Sequence, residues 1–127
     1  MPSRIVITGG PRTGKTTRAN SSSGIVGPIR HTDSLVQSHD WSEASEAVSF
    51  WFDEPGPWIV EGVAAVRALR KWLAAHPDGK PCDVVLWLDK PVVPRSRGQE
   101  IMAKGCATVW NEIRPALEAR SVHIAME

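Results

Sequence analysis

Apolar residues along this chain come in short β-type runs separated by stretches of helical period. Arg4 to Thr8 encloses Ile5-Val6-Ile7, a β-branched run that predicts a fully buried strand ending at Gly9-Gly10-Pro11. From Lys15 to about Ser21 a short helix is predicted, ended by Ser22-Ser23-Gly24. Pro28 to Thr32 can form a second strand, but its Pro, Arg and His suit only a sheet edge. Asp40 and Glu43 have capping-box spacing, and Trp41, Ala44, Val48 and Trp51 then share one helix face. Pro55-Gly56-Pro57 stops that helix, and Trp58 to Glu61 is the third strand. The next helix, Val63 to about His76, has its core stripe at Val66, Leu69 and Leu73, beside a basic strip of Arg67, Arg70 and Lys71.

Asp83 to Asp89 contains Val84-Val85-Leu86-Trp87-Leu88, the strongest strand pattern in the chain. Lys90 to Gly98, with two prolines and two arginines, reads as a loop. Met102, Cys106, Val109, Trp110, Ile113 and Leu117 recur at helical spacing, with Gly105 and Pro115 as expected bends. Val122 to Met126 is a last short strand. Strands alternating with helices predict an α/β architecture in three layers: a mostly parallel sheet of about five strands, with helices on both faces.

Composition narrows the function classes. With 127 residues the chain has room for one core, so a single domain over residues 1–127 is expected. Lys plus Arg number 15 and Asp plus Glu 14, a net charge of +1. An anion site must therefore come from local arrangement, since overall charge announces no nucleic-acid binder. Cys82 and Cys106 are too few for a disulfide framework and suit a reduced, cytoplasmic setting. No apolar run approaches the ~20 residues of a membrane span, so no membrane partner is expected.

The chemistry is concentrated in Gly9-Gly10-Pro11-Arg12-Thr13-Gly14-Lys15-Thr16, which matches G-x-x-x-x-G-K-[ST] in full. Its glycines let the chain curl so that backbone N–H groups converge on phosphate oxygens, and the helix opening at Lys15 adds its positive end. Gly10 to Thr17 are the expected phosphate-binding residues: Gly10, Pro11, Arg12, Thr13, Gly14, Lys15, Thr16 and Thr17. Lys15, expected to stand exposed, should reach the terminal phosphates, and the Thr16 hydroxyl should ligate Mg²⁺.

On these residues the chain resembles the P-loop NTPases, and its layout resembles their small kinases. The resemblance implies ATP or another nucleoside triphosphate (NTP) as donor, Mg²⁺ as cofactor, and a P-loop NTPase fold. It also implies an acid after the second strand, a Walker B-like acid after the third, and arginines in a loop after the fourth.

Asp33, where the second strand should end, could take a proton from an attacking hydroxyl or hold a Mg²⁺-bound water; it could also simply cap a helical turn. Glu61 before Gly62 is the Walker B-like candidate for Mg²⁺ or acceptor; it could also be a carboxylate at a helix start. Arg95 and Arg97 could neutralise charge on the transferring phosphoryl group, with Lys104 just beyond, or form a solvated loop. Arg67 and Arg70 could bind acceptor phosphates or be a solvated helix face, and Asp89 could tether Arg95 or Arg97. Trp41 could stack on a base or fill the core.

The expected catalytic set is thus Lys15, Asp33, Arg95 and Arg97, with Thr16, Asp33 and Glu61 for metal and Glu61, Arg67, Arg70 and Lys104 for acceptor. A γ-phosphoryl kinase gives work to all of these, whereas an ATPase or a nucleotide-binding module leaves the strand-end acids and lid arginines idle. The run Gly98-Gln99-Glu100-Ile101-Met102-Ala103-Lys104-Gly105 is similar to phage-type kinases of 5-hydroxymethyluracil in DNA. That likeness implies a DNA partner and the cytoplasm of a bacterial host. The alternative acceptor is a free nucleoside, nucleotide or other small hydroxyl compound.

Overall fold

The apolar runs become five strands: β1 (Arg4–Gly9), β2 (Ile29–His31), β3 (Trp58–Glu61), β4 (Val84–Leu88) and β5 (His123–Met126). They form one sheet of order β2-β3-β1-β4-β5 in this computed structural model, which describes residues 3–15, 17–19, 28–36, 40–92 and 94–126. Every pairing is parallel, so the sheet is more regular than the mostly parallel one expected. The second strand is indeed an edge strand, cut to three residues. With β1 central, the chain fills one side of it through β2 and β3, then crosses to β4 on the other. Ligands of open parallel sheets bind at such a reversal, beyond the strands' carboxyl ends.

Among the described residues four helices join the strands: α1 (Asp33–Val36), α2 (Trp41–Trp51), α3 (Ala64–Ala75) and α4 (Arg97–Ala119). Lys15 and residues 17–19 are helical too, and the rest of the helix expected to Ser21 lies outside the described residues. The Asp40 carboxylate accepts from Glu43 N at 2.8 Å and caps α2, as its spacing predicts. One boundary shifts. Helix α4 begins at Arg97 and not after Gly98, because Ser96 and Gln99 form a capping box that the prolines of the loop obscured. It then runs continuously through Gly105 and Pro115 to Ala119.

Alternation along the strands sends neighbouring residues to opposite layers. Val6, Val60, Val85 and Trp87 face one layer, where they meet Val48 of α2, Val66 and Leu69 of α3, and Cys106, Val109, Trp110, Ile113 and Leu117 of α4. Trp87 and Trp110 stack there with centroids 4.9 Å apart. Ile7, Ile59, Leu86 and Leu88 face the other layer with Ala19. Helix α3 buries more than its predicted stripe: Ala65, Ala68 and Trp72 are buried, while Leu73 is only half-buried. Among the described residues no helix is long and apolar enough to cross a membrane.

Candidate active site

Strand β1 delivers the chain into the phosphate loop, and backbone geometry sets its shape. Gly14 adopts φ +84°, a region only glycine enters without strain, and Arg12 adopts φ +62° in spite of its side chain. Thr13 Oγ1 donates to Gly10 O at 3.0 Å, and Arg18 N donates to Gly14 O at 2.9 Å, which starts the helix. That helix therefore opens directly onto the loop, with its unpaired N–H groups facing any anion held there.

Lys15 is buried rather than exposed as expected, at 8% relative exposure. Its Nζ donates to Gly10 O at 2.8 Å and lies 3.4 Å from Thr13 Oγ1, so the cation is stowed inside the loop. Burial lowers its pKa from the ordinary lysine value, against the raising pull of the Glu61 and then the Asp33 carboxylates, and Arg95 lowers it further. Lys15, Glu61, Asp33 and Arg95 are thus one electrostatic cluster, drawn from four separate parts of the sequence. Thr16 lies outside the described residues, and Thr17 is exposed.

On one flank, parallel pairing of β2 with β3 sets His31 opposite Glu61. His31 Nδ1 hydrogen-bonds Glu61 Oε1, while Thr32 N donates to Glu61 O at 2.9 Å. Glu61 is 1% exposed. Asp33, two residues beyond the end of β2, is exposed and stands as the first residue of α1. His31 was not among the expected site residues. The signal for it was the register of two strands ending together, which no local motif carries. Gly62 sits at φ +140°, and a Cβ there would stand 1.8 Å from Thr32 Oγ1.

The other flank is basic and comes from the chain after β4. Arg95, whose side chain is 7% exposed, donates through Nε to Pro11 O at 2.7 Å. Its Nη2 is buried with no hydrogen-bond partner among the described residues and would stand 2.9 Å from a Cβ placed on Gly10. A cleft of about 190 Å³ adjoins it, lined by Gly10, Trp87, Asp89, Arg95 and Lys104 among others. Among the described residues no ion pair joins Asp89 to an arginine: it accepts from Trp87 Nε1 at 3.4 Å, and Glu100 lies 4.0 Å from Arg95 Nη1. Arg97 and Lys104 are exposed, and no described hydrogen bond or ion pair joins either to the loop.

Arg67 Nη1 lies 3.5 Å from Cys106 Sγ and is half-buried against α4, whereas Arg70 is exposed and pairs at 3.4 Å with the exposed Glu112. Arg67 also borders an open groove of about 470 Å³ with Gly98, Ile101, Met102 and Gly105. A groove of similar size, about 480 Å³, runs along α2 and α3 by Phe50, Trp72 and His76, and touches none of the loop residues. Volume alone therefore does not mark the site. The Trp41 side chain lies outside what is described.

Neither a protein-family model nor a curated protein sequence matches this chain. Among solved structures, a shikimate kinase from Acinetobacter baumannii in complex with shikimate is similar, with a TM-score of 0.57 and 14% identity. The match covers 98% of this chain and 83% of that one. The chain thus shares the fold of that kinase, an α/β architecture with a five-stranded parallel sheet. At this identity the likeness extends to the fold; the chemistry must be argued from the side chains.

Proposed function

We propose that this chain, as a single P-loop kinase domain, transfers the γ-phosphoryl group of ATP or another NTP to a small hydroxyl compound. The observation that carries the reading is the Lys15 cluster: a loop lysine stowed against Gly10 O, within electrostatic reach of two strand-end carboxylates and a buried arginine. Binding of a triphosphate gives Lys15 the anionic partner that its burial lacks. The loop N–H groups from Gly10 to Thr17, Pro11 excepted, would cradle the phosphates, and Arg95 Nη2 offers a desolvated donor to charge on the transferring group.

Asp33 suits the base better than Glu61, because it is exposed at the acceptor edge, whereas Glu61 is buried and bonded to His31. The acceptor hydroxyl passes its proton to Asp33 as its oxygen bonds to the γ-phosphorus, and the nucleoside diphosphate leaves with the electrons of the broken P–O bond. The donor set of this edge fits Mg²⁺, which takes one or two carboxylates together with substrate phosphates. Thr16 and Glu61 would hold it, which leaves Asp33 to the acceptor's proton, and when bound it would offset charge on the β- and γ-phosphates. Arg97, Arg67, Arg70 and Lys104 would act, if at all, at the acceptor entrance.

A small acceptor is favoured over DNA on two grounds. Arg70 and Lys71, part of the basic strip that a DNA acceptor would need for its phosphates, already pair with Glu112 and with Ser42 Oγ (3.2 Å). The fold's similar structure was solved with shikimate, itself a small hydroxyl compound. γ-Labelled ATP offered with free nucleosides, nucleotides, hydroxylated acids and DNA with or without 5-hydroxymethyluracil tests the reading. Label in a small hydroxyl compound is the expected result. Label only in the modified DNA would replace the acceptor class, and release of inorganic phosphate alone would replace the kinase with an ATPase.

A further inference from the structure

Three contacts tie the chain after β4 onto the phosphate loop. Val92 N donates to Arg12 O at 2.8 Å, Arg95 Nε donates to Pro11 O at 2.7 Å, and Arg12 Nε donates to Gln99 Oε1 at 3.2 Å. The Val92 methyl groups also lie 3.8 and 3.9 Å from a Cβ placed on Gly14. Two successive loop carbonyls, Pro11 O and Arg12 O, are therefore held from this side. An anion-binding loop needs its N–H groups turned to the ligand, and fixing the carbonyls of the same peptide planes fixes those N–H groups. Arg12 needs such support most, because its left-handed backbone is costly for a residue with a side chain.

Gln99 has two roles through one atom. Its Oε1 accepts from Ser96 N at 2.9 Å, which caps α4, and from Arg12 Nε. The end of α4 and the conformation of the loop are in this way linked. From this geometry we propose that Val92, Arg95 and Gln99 form a fixed clamp on the phosphate loop, and that Gln99 is a positioning residue for the phosphate donor, acting through Arg12. This rests on the kinase reading for its ligand, and it holds Arg95 Nε on the loop before any nucleotide arrives.

The test has two readouts on the full chain. Amide hydrogen exchange without nucleotide reads the clamp itself: the Val92 amide is expected to be protected, and Gln99→Ala or Arg12→Ala to reduce that protection. ATP titration reads its consequence. Gln99→Ala is expected to weaken ATP binding about fivefold, the effect of one hydrogen bond. Gln99→Glu keeps an acceptor for both donors and should bind as wild type does. Ser96→Ala removes the other half of the capping box and should lower thermal stability while leaving ATP affinity within twofold. Adding Arg12→Ala to Gln99→Ala should weaken binding no further than the stronger single variant.

An unprotected Val92 amide overturns the clamp. Equal ATP affinity in Gln99→Ala and wild type, or equal losses in Ser96→Ala and Gln99→Ala, overturns the positioning role. A wild type with a protected Val92 amide that binds no NTP overturns the kinase reading, and the positioning role with it, but leaves the clamp.

Discussion

The two ends of β1 and β4 both carry buried or half-buried charge, and they treat it in opposite ways. At the amino ends, Asp83 accepts from Arg4 N at 2.8 Å and from its Nε and Nη2 at 3.4 Å, while Asp83 N donates to Arg4 O at 2.8 Å. Burial alone would raise the Asp83 pKa, but the Arg4 backbone N–H and guanidinium overcome it and hold it below the ordinary value. The charged form is the favoured one there. At the carboxyl ends the balance reverses. Burial disfavours the charge on Lys15 in spite of two nearby carboxylates, and Arg95 keeps a buried N–H unpaired among the described residues. A closed ion pair contributes to the fold and has nothing left to offer a ligand. A disfavoured charge with open donors is stabilised only when a ligand arrives.

The largest expected effect tests that contrast directly. Lys15→Met keeps the aliphatic stem and removes the cation, so phosphoryl transfer should fall by about 10³-fold, while thermal stability holds or rises. The folded Lys15 has a pKa below the ordinary 10.5, so between those values the unfolded chain binds more protons and stability climbs with pH. Wild type should therefore gain stability relative to Lys15→Met as pH rises toward that ordinary value, in denaturant titrations at a series of pH values. Wild-type turnover in a folded Lys15→Met would break the phosphate-loop assignment.

Next in size is Asp33→Asn, for which turnover should drop by about 10²-fold with NTP affinity kept, as befits a base that touches the acceptor. Binding isotherms beside turnover separate the roles: an equal loss of affinity would make Asp33 a metal-site residue. Gly62→Ala probes the backbone beneath the same edge. Its Cβ would collide with Thr32 Oγ1 at φ +140°, so a loss of about 2 kcal/mol is expected, read as a lower midpoint in thermal melting. An unshifted midpoint would mean that the strand-end packing yields easily.

How much of this was legible depended on whether the information was local. The loop, β1, β3 and β4 were readable because eight contiguous residues and unbroken apolar runs carry them. Asp33 and Glu61 were readable as strand-end acids, since a strand's carboxyl end can be located from its own sequence. The pairing of His31 with Glu61 was not, because it depends on which strands become neighbours and in what register. Arg95 and Arg97 read alike in sequence, and the structure separates them. One is buried against Pro11 O, and the other is the exposed first residue of α4, because the capping box at Ser96 and Gln99 turns the chain between them. The box is written as Ser96-x-x-Gln99, but the prolines just before it read as a continuing loop and obscured the boundary. The burial of Lys15 was not, since an acceptor such as Gly10 O exists only once the loop has curled.

The smallest effect belongs to the closed end. Asp83→Asn keeps the size of the side chain and removes its charge, and the pair it leaves is partly exposed, with Arg4 at 25% and Asp83 at 37%. Partly exposed pairs of this kind contribute on the order of 0.5–1 kcal/mol, so the expected loss at neutral pH is of that size, with turnover unchanged. The pH dependence gives the decisive signature. A carboxyl whose folded pKa lies below its ordinary 3.8 stabilises the fold fully above that value and loses its contribution as pH falls through the folded pKa. The gap between wild type and Asp83→Asn should thus be constant from neutral pH down to about pH 5 and close in more acid solution, whereas the Lys15→Met difference changes only toward the alkaline side. Chemical denaturation of both variants across that range checks it. A gap for Asp83→Asn that persisted undiminished well below the ordinary carboxyl value would show that the asparagine fails through its packing, and the contrast between a paired end and an open one would then rest on Lys15 alone.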